Sequence, residues 1–383
     1  MSQILITGAQ TRIPLLPYTG SSALANVTLN ATGETCVFAG SVILENPFGG
    51  SKTISSAGGG KIVWRSGTTT FANGSTTFDI GLQDISTASS PTQGDGVFDV
   101  KASFTGGGGG ITSAAVQTSV MTSGSKTIAH GDMVAMVFSM VAAGGADSVI
   151  VTVNQNNAGL SMANGFPAVT DNTGGSYARV TPALPNAYII FDDNTIGWFY
   201  GSWFDSASRT NSTYNSGTGT ADEYGNFIQY PFTFQALGLH FAGQVSGNSA
   251  DAELLLYSDP LGTPSVQRTI TLDATQWPVT ATALSSSFLF STPITLKANT
   301  PYGISLRPTT ANNVSLAYRD VDNTTGGKAG DVGTNNYAIR RLDNTGAFSD
   351  FNGGTAKTRQ MGIAIVGSYM GQEVNLCNYQ LGM

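Results

Sequence analysis

The sequence predicts an all-β protein made of two tandem antiparallel β-sandwich domains of the jelly-roll type. Short apolar and β-branched runs recur along the chain with Gly, Asn, Asp and Ser between them, which is typical of sandwich strands and turns. The composition agrees, because the 383 residues include 48 Gly and only 11% charged residues, against about 25% in an average soluble protein. The 19 Phe, 13 Tyr and 4 Trp can fill sizeable cores.

A weak internal repeat predicts that the two domains are related. Residues 188–199 (YIIFDDNTIGWF) and 337–348 (YAIRRLDNTGAF) both run from a Tyr-x-Ile segment into an Asp-Asn-Thr turn and an aromatic residue. Upstream, residues 127–132 (TIAHGD) resemble 295–300 (TLKANT), and an apolar run follows each. Two matches in the same order indicate a tandem pair of similar domains.

The predicted elements follow the chain in order. Residues 1–25 are expected to form an irregular N-terminal arm, because Pro14 and Pro17 cannot donate to a β-ladder. In residues 76–85, Phe78 and Ile80 alternate with polar neighbours, which is the period-two signature of a half-buried strand. Similar patterns predict strands at 35–44, 61–65, 97–104, 133–141, 148–154, 188–191 and 195–199, then at 254–257, 267–272, 287–290, 302–306, 314–318, 337–341 and 361–366.

Turn chemistry predicts how some of these strands connect. Residues 142–145 are expected to join 133–141 and 148–154 in a hairpin, and residues 192–194 to join 188–191 and 195–199 in another. The glycines at 106–110 predict a loop. The apolar phase shifts between Phe234 and Leu237, which predicts a bulge.

The domain boundaries follow from composition. The stretch from 206 to 225 is rich in Ser, Thr, Asn and Gly, which is typical of a linker. We therefore predict an N-terminal arm at 1–25, a first sandwich at 26–205, the linker at 206–225, a second sandwich at 226–366 and a C-terminal tail at 367–383.

Charge and apolar runs restrict the partners. The net charge of −7 and the lack of a basic cluster argue against nucleic acid. Residues 1–8 lack a charged region followed by a long apolar stretch, so no signal peptide is expected, and no run is long enough to predict a membrane span. Cys36 and Cys377 are expected to be reduced thiols, as in other chains made in the cytoplasm.

The histidines do not predict a catalytic site. His130, Gly131 and Asp132 are adjacent, and neighbours in a strand point to opposite faces, so we interpret them as a turn. His240 lies between Leu239 and Phe241 and is interpreted as a residue on a sheet face.

Paired carboxylates are the groups that hydrolyse glycans, and the pairs Asp192–Asp193 and Asp222–Glu223 are the candidates. Both fall in predicted turn or linker segments, where Asp is common for backbone reasons. Asp192, Asp193 and Asn194 also offer oxygen ligands for calcium, but without the spacing of an EF-hand. We therefore predict no catalytic residue, no cofactor and no metal.

One aromatic group is a candidate ligand or contact patch: Trp198, Phe199, Tyr200, Trp203 and Phe204. On a sheet face these rings could stack against sugars. Packing in a core or a subunit contact is the preferred interpretation, because aromatic residues dominate both environments.

The segments LLYSDP at 255–260 and LKANTPY at 296–302 resemble strand–turn elements of accessory sandwich domains on phage particles and bacterial surface proteins. Together with the uncharged Gly/Ser/Thr/Asn-rich repeats and the irregular arm, the chain resembles virion structural proteins of tailed bacteriophages. The resemblance implies a non-enzymatic protein made in the host cytoplasm and carried on the particle as a capsid decoration, head fibre, tail or collar component. Its expected partners are other virion proteins and further copies of itself, as a trimer or higher ring.

Two other functions stay open. The first is a carbohydrate- or receptor-binding adhesin that binds a host surface glycan through the aromatic patch, or through its repeat counterpart near Phe348 and Phe351. The second is a glycan-degrading enzyme. The arm and the tail are the expected docking segments on a particle, because segments that order on binding can cover large surfaces.

Overall fold

The computed structural model describes residues 12–14, 23–44, 49–86, 93–108, 110–155, 168–180, 183–199, 210–214, 221–230, 232–245, 251–273, 284–309, 314–320, 336–342, 345–351 and 359–368. These residues contain strands and no helix, so the prediction of an all-β protein is confirmed. It follows that none of the described segments is a helix of the length and hydropathy needed to cross a membrane.

The described chain forms two compact units, of which the N-terminal unit contains Thr19–Thr210 and the C-terminal unit contains most of the other described residues. The strands before Thr210, apart from the first, form the N-terminal unit. The first strand and the later ones form the C-terminal unit.

In chain order, the strands up to the division are β1 (Arg12–Pro14), β2 (Ala23–Leu29), β3 (Thr35–Leu44), β4 (Lys52–Ser55), β5 (Lys61–Arg65), β6 (Thr77–Gln83), β7 (Val100–Thr105), β8 (Val116–Val120), β9 (Ser123–Ile128), β10 (Met133–Ala142), β11 (Val149–Gln155), β12 (Ala168–Asp171), β13 (Ala178–Arg179), β14 (Ala183–Leu184), β15 (Ala187–Ile190) and β16 (Ile196–Phe199).

The remaining strands are β17 (Thr210–Tyr214), β18 (Ala221–Ile228), β19 (Phe234–Val245), β20 (Ala252–Ser258), β21 (Ser265–Leu272), β22 (Leu284–Leu296), β23 (Tyr302–Pro308), β24 (Val314–Asp320), β25 (Asn336–Leu342), β26 (Ser349–Asp350), β27 (Arg359–Met361) and β28 (Ile363–Ser368).

The C-terminal unit is a sandwich of two sheets. One has the order β21-β20-β23-β18-β25-β26, and the other runs β1-β28-β19-β24-β17 with β22 on β19 and β27 on β24. Its main core contains alternate residues of both sheets, such as Leu254 and Leu256 from one and Leu239 and Ile365 from the other. The strand period of two places these side chains on the inner faces.

The N-terminal unit contains a long sheet, β4-β9-β7-β6-β10-β3-β16-β15-β5-β8, with β12 and β13 beside β3, and a small sheet, β14-β11-β2. Strand β3 pairs with β10 along one edge, and with β12 and then β16 along the other. The main core lies around Phe38, Trp64, Phe138 and Val151, all of which are fully buried.

The two units share one topology. The path β7-β6-β10-β3-β12-β13 of the N-terminal unit corresponds to β21-β20-β23-β18-β25-β26 of the C-terminal unit. The path β14-β11-β2 corresponds to β27-β24-β17, and β16-β15-β5 corresponds to β1-β28-β19. Strand β4 on β9 corresponds to the start of β19 on β22, so the single strand β19 takes the places of both β4 and β5.

Individual backbone hydrogen bonds repeat as well. Val180 N donates to Val169 O at 2.9 Å, and in the corresponding place Phe351 N donates to Ala338 O at 3.1 Å. The two sandwiches therefore correspond strand by strand, and the predicted tandem repeat is a property of the fold.

Only one of the two sequence matches behind that prediction joins equivalent elements. The match of 127–140 with 295–308 joins β9–β10 to β22–β23, which correspond. The match of 188–199 with 337–348 joins β15–β16 to β25, whose counterpart is β12. A Tyr-x-Ile segment before a turn is common enough in strands to recur at unrelated places.

Of the predicted strand connections and irregularities, some are confirmed and one is wrong. The β15–β16 hairpin and the bulge near 236–238 are confirmed. The predicted hairpin of 133–141 with 148–154 is wrong, because β10 pairs with β3 and β6 while β11 pairs with β2 and β14. The connection from β10 to β11 crosses from the long sheet to the small sheet, because the pairing of both strands is set by distant segments and not by the short turn between them.

The predicted boundaries also differ from the observed elements. Strands β17 and β18 occupy much of the predicted linker at 206–225, and β1 and β2 fall in or begin within the predicted arm at 1–25. Strand β28 ends at Ser368, and the rest of the predicted tail, from 369 to 383, lies outside the described residues.

Candidate functional site

Two members of the predicted aromatic patch are buried on opposite faces of β16. Phe199 is 1% exposed and belongs to the main core of the N-terminal unit. Trp198 is 8% exposed and packs on the other face of the sheet with Tyr188, Ile190 and Val63. Tyr200, Trp203 and Phe204 lie outside the described residues. Trp198 and Phe199 thus follow the core-packing interpretation, and neither presents an open face to a sugar.

The cluster around Trp198 is one of three smaller apolar groups that the described residues form outside the main cores. A second group, in the C-terminal unit, contains Phe227, Leu255, Tyr257, Tyr337, Ile339 and Phe348, and its counterpart on β3 and β10 of the N-terminal unit contains Val37, Ala39, Ala135 and Val137. Phe348 and Phe351, the suggested repeat counterpart of the patch, are both buried. Because the residues of these groups are buried, the sheets are covered on their outer faces as well as on the faces toward the main cores.

The carboxylates of Asp192 and Asp193 bind donors of the protein itself. Asp192 Oδ1 accepts a hydrogen bond from Ser55 N at 2.9 Å, and its Oδ2 accepts one from Ser55 Oγ at 2.6 Å. A Cβ on Gly58 would lie 2.2 Å from Asp192 Cγ, which explains why glycine occupies that position. The hydrogen bonds between Asp192 and Ser55 therefore anchor the β15–β16 turn to the end of β4.

Asp193 lies 2.6 Å from Lys52 Nζ and accepts hydrogen bonds from Thr195 N and Thr195 Oγ1. Partial burial acts to raise its pKa, but the bonds from Lys52 and Thr195 outweigh burial and lower the pKa of Asp193 to about 2. An anion neutralised in this way is a poor proton donor at neutral pH and a poor free ligand for calcium.

The other candidate pair, Asp222 and Glu223, is buried in β18. The two residues are adjacent at a register shift between β18 and β25, where the regular alternation of side chains between the two faces is interrupted. Glu223 is fully buried on the outer face, with its carboxylate within a network of polar side chains.

This network is a set of contacts that the sequence patterns did not predict. Glu223 Oε2 accepts a hydrogen bond from Arg341 Nε at 2.5 Å. Its Oε1 accepts hydrogen bonds from Ser305 Oγ at 2.5 Å and from Tyr257 Oη at 2.9 Å. Arg341 Nη2 also donates to Tyr257 Oη at 2.7 Å. Burial and the nearby charge of Glu223 raise the pKa of Tyr257, so its hydroxyl stays protonated as a donor.

Aromatic rings enclose the network. The Arg341 guanidinium lies 5.0 Å from the ring centroid of Tyr257 and 4.8 Å from that of Phe348. Phe348 is held there because its backbone N donates to Pro260 O at 2.8 Å. The one signal available from the sequence was the opposite charge of Glu223 and Arg341, which are register partners across β18 and β25.

His130 and Asp132 form turn contacts, in agreement with the sequence interpretation. Asp132 Oδ2 accepts from Ala129 N at 2.7 Å, and His130 Nδ1 accepts from Leu44 N at 3.1 Å. His130 Nε2 is buried with no hydrogen-bond partner among the described residues. Burial lowers the pKa of His130 to about 4, so the ring is neutral at pH 7. The His240 side chain lies outside the described set.

Cys36 is a free, fully buried thiol, and burial followed by the charge of Asp171 raises its pKa. Such a thiol is a weak nucleophile. Cys377 lies outside the described residues. Across the ranges that the structure describes, no three His, Cys, Asp or Glu side chains come together in a way that could hold a metal ion.

Comparisons with known proteins add little. No family model matches the chain, and no curated protein matches its sequence. Among solved structures, a chain from the "Structure of infectious bursal disease virus Gt strain" is similar with a TM-score of 0.19 and 11% sequence identity, over 98% of this chain and 85% of that one. A TM-score of this size carries no argument about fold or function.

Proposed function

We propose that the chain is a non-enzymatic structural component of a bacteriophage virion. It is exposed on the particle as a capsid decoration or head fibre, or as a tail or collar protein, and it acts through contacts with other proteins. The observation that carries the proposal is the duplication itself: two units repeat one sandwich, strand by strand, from β2 to β28. Repeating a scaffold doubles the surface available for contact, which is what a structural component requires.

The side chains that could carry chemistry support the same proposal. The carboxylates of Asp192, Asp193 and Glu223 each bind donors of the protein, and His130 is neutral in a turn. A general acid or base needs a substrate within about 3 Å of its reactive atom. Structural donors occupy that space at all three carboxylates.

The composition also suits a protein that works in an assembly. Only 11% of the residues are charged, so repulsion between neighbouring copies is weak. We expect a homo-oligomer, a trimer or larger, and sedimentation equilibrium at micromolar concentration measures this directly. A single monomeric species would contradict the expectation.

The adhesin alternative has less support, because Trp198 and Phe199 are buried. Glycan binding by an adhesin would then depend on the other residues of the patch, which are Tyr200, Trp203 and Phe204. A variant with Trp203→Ala and Phe204→Ala that keeps its oligomeric state but loses binding to host cells would favour the adhesin over the structural component.

The direct test uses particles purified from a lysate of cells that encode the chain. Immunogold labelling with antibodies against the purified chain is expected to decorate intact particles at a fixed location. Labelled particles should retain the protein through a density gradient. Recovery of the protein only in the soluble fraction, with no label on particles, would contradict the proposal.

A further inference from the structure

The first described strand, β1, pairs at an edge of the last described strand, β28. β1 pairs antiparallel with β28, with Arg12 opposite Ser368, Ile13 opposite Gly367 and Pro14 opposite Val366. The other edge of β28 pairs with β19. β1 therefore covers an edge of β28 that no other described strand covers.

The internal duplication shows what normally lies at this edge. β28 corresponds to β15, and the same edge of β15 is covered by β16. In the N-terminal unit the covering strand is the next one along the chain, and the turn from Phe191 to Thr195 joins it to β15. In the C-terminal unit the covering strand comes from the opposite end of the chain.

Because β1 and β28 are not joined by a turn, the edge of β28 can in principle pair with β1 of the same chain or of another copy. A hairpin forces β16 onto its own β15, since a short turn gives the pair a very high effective concentration. No such turn joins β1 to β28. The eight residues at 15–22 connect β1 to β2, and a connection of this length reaches up to about 28 Å when extended.

We propose that the edge of β28 is a strand-acceptor site, and that in the assembled protein it binds β1 of a second copy of this chain. Every copy carries the same strand, and the pairing is made by backbone groups in a fixed register, so the strand of a neighbour makes the same contacts as the molecule's own. The inference extends the proposed function by naming one contact between copies, and it holds for any assembly that carries the chain.

Exchange depends on concentration. The paired segment is three residues long and includes Pro14, which has no N–H to donate. One exchanged strand therefore binds weakly in dilute solution. Copies that are held together by other contacts have effective concentrations of about a millimolar, at which weak strand pairing becomes favourable.

Disulfide trapping in the full-length chain tests the proposal. All variants carry Cys377→Ser, and Cys36 stays because it is buried. One chain also carries Arg12→Cys and a differently tagged chain carries Ser368→Cys. The two are mixed, assembled at high concentration and oxidised. A second pair, Ile13→Cys with Gly367→Cys, covers the alternate geometry, because successive antiparallel pairs differ in Cα separation.

We expect a disulfide between the two tagged chains in at least one of these registers. The doubly substituted chain, Arg12→Cys with Ser368→Cys, should give linked multimers. Val97→Cys, which replaces an exposed side chain outside the strands, is the matched control and should not link to Arg12→Cys. If the doubly substituted chain closes only within single chains at every concentration, the proposal is wrong. The absence of any disulfide in both registers would overturn it equally.

Discussion

Gly131 and Asn299 occupy the same place in the two units, and both adopt a left-handed backbone conformation, with φ of 92° and 53°. Gly131 N donates to Val42 O and Asn299 N donates to Tyr230 O, each at 2.7 Å. Each residue lies in the turn that enters a corresponding strand, β10 or β23. Glycine and asparagine are the residues that tolerate this conformation best.

The first prediction concerns this pair. Gly131→Asn and Asn299→Gly should each change the free energy of unfolding by less than about 0.5 kcal/mol, because the turn accepts either residue. Gly131→Val should destabilise by about 1–3 kcal/mol, since a β-branched side chain strains a positive φ. Urea unfolding measures all three. A Gly131→Val variant as stable as the parent would show that the turn relaxes.

The second prediction concerns the buried ion pair of Glu223 and Arg341. Glu223→Ala should destabilise by about 3–5 kcal/mol, because it leaves the Arg341 cation buried without its carboxylate. Replacing both residues, as in Glu223→Leu with Arg341→Met, should cost less than the single change, since no buried charge remains.

Urea unfolding of Glu223→Leu, Arg341→Met and the variant with both changes gives the coupling energy between the two residues. Thr271→Ala, on an exposed position of β21, is the control and should stay within about 0.5 kcal/mol of the parent. Additive effects of the two substitutions would contradict a direct interaction.

The third prediction concerns Asn226, which joins the two sheets of the C-terminal unit. Its Nδ2 donates to Met361 O at 2.9 Å and to Ile363 O at 2.8 Å, and its Oδ1 accepts from Met361 N at 2.8 Å. Asn226→Ala leaves these backbone groups without partners and should destabilise by about 2–4 kcal/mol. Hydrogen exchange should speed up most at Met361. An unchanged rate of hydrogen exchange at the Met361 amide would contradict the role of Asn226 in joining the two sheets.

The fourth prediction concerns pH. Burial lowers the pKa of His130 from 6.5 to about 4, so between these values the unfolded chain binds more protons than the folded one. The contribution of His130 is therefore fully present above pH 6.5 and is lost as the pH falls toward 4, by up to about 3 kcal/mol.

His130→Asn keeps an acceptor for Leu44 N and removes the titration. The difference in unfolding free energy between pH 7 and pH 4.5 should be smaller for this variant than for the parent. The Asp193 carboxylate has a pKa of about 2 in the folded protein, so it stays ionised between pH 7 and pH 4.5. Equal acid sensitivity in both proteins would assign the pH dependence to other groups.

The sequence determined the local elements of this protein. Period-two patterns located strands such as β6, the Asp-Asn-Thr turn gave the β15–β16 hairpin, and the match of 127–132 with 295–300 identified equivalent turns in two related units. These features depend on residues within one strand or one turn, so a single segment contains all the information that specifies them.

Only the tertiary structure decided which distant strands pair. It separated β10 from β11, paired β1 with β28, buried Trp198 and Phe199 on opposite faces, and brought Glu223, Tyr257, Ser305 and Arg341 together. Pairing between distant strands is set by how all the apolar faces are buried at once. The pattern of a single segment does not specify how the apolar faces of all strands are buried together. The positions at which polar side chains from distant strands meet depend on that arrangement.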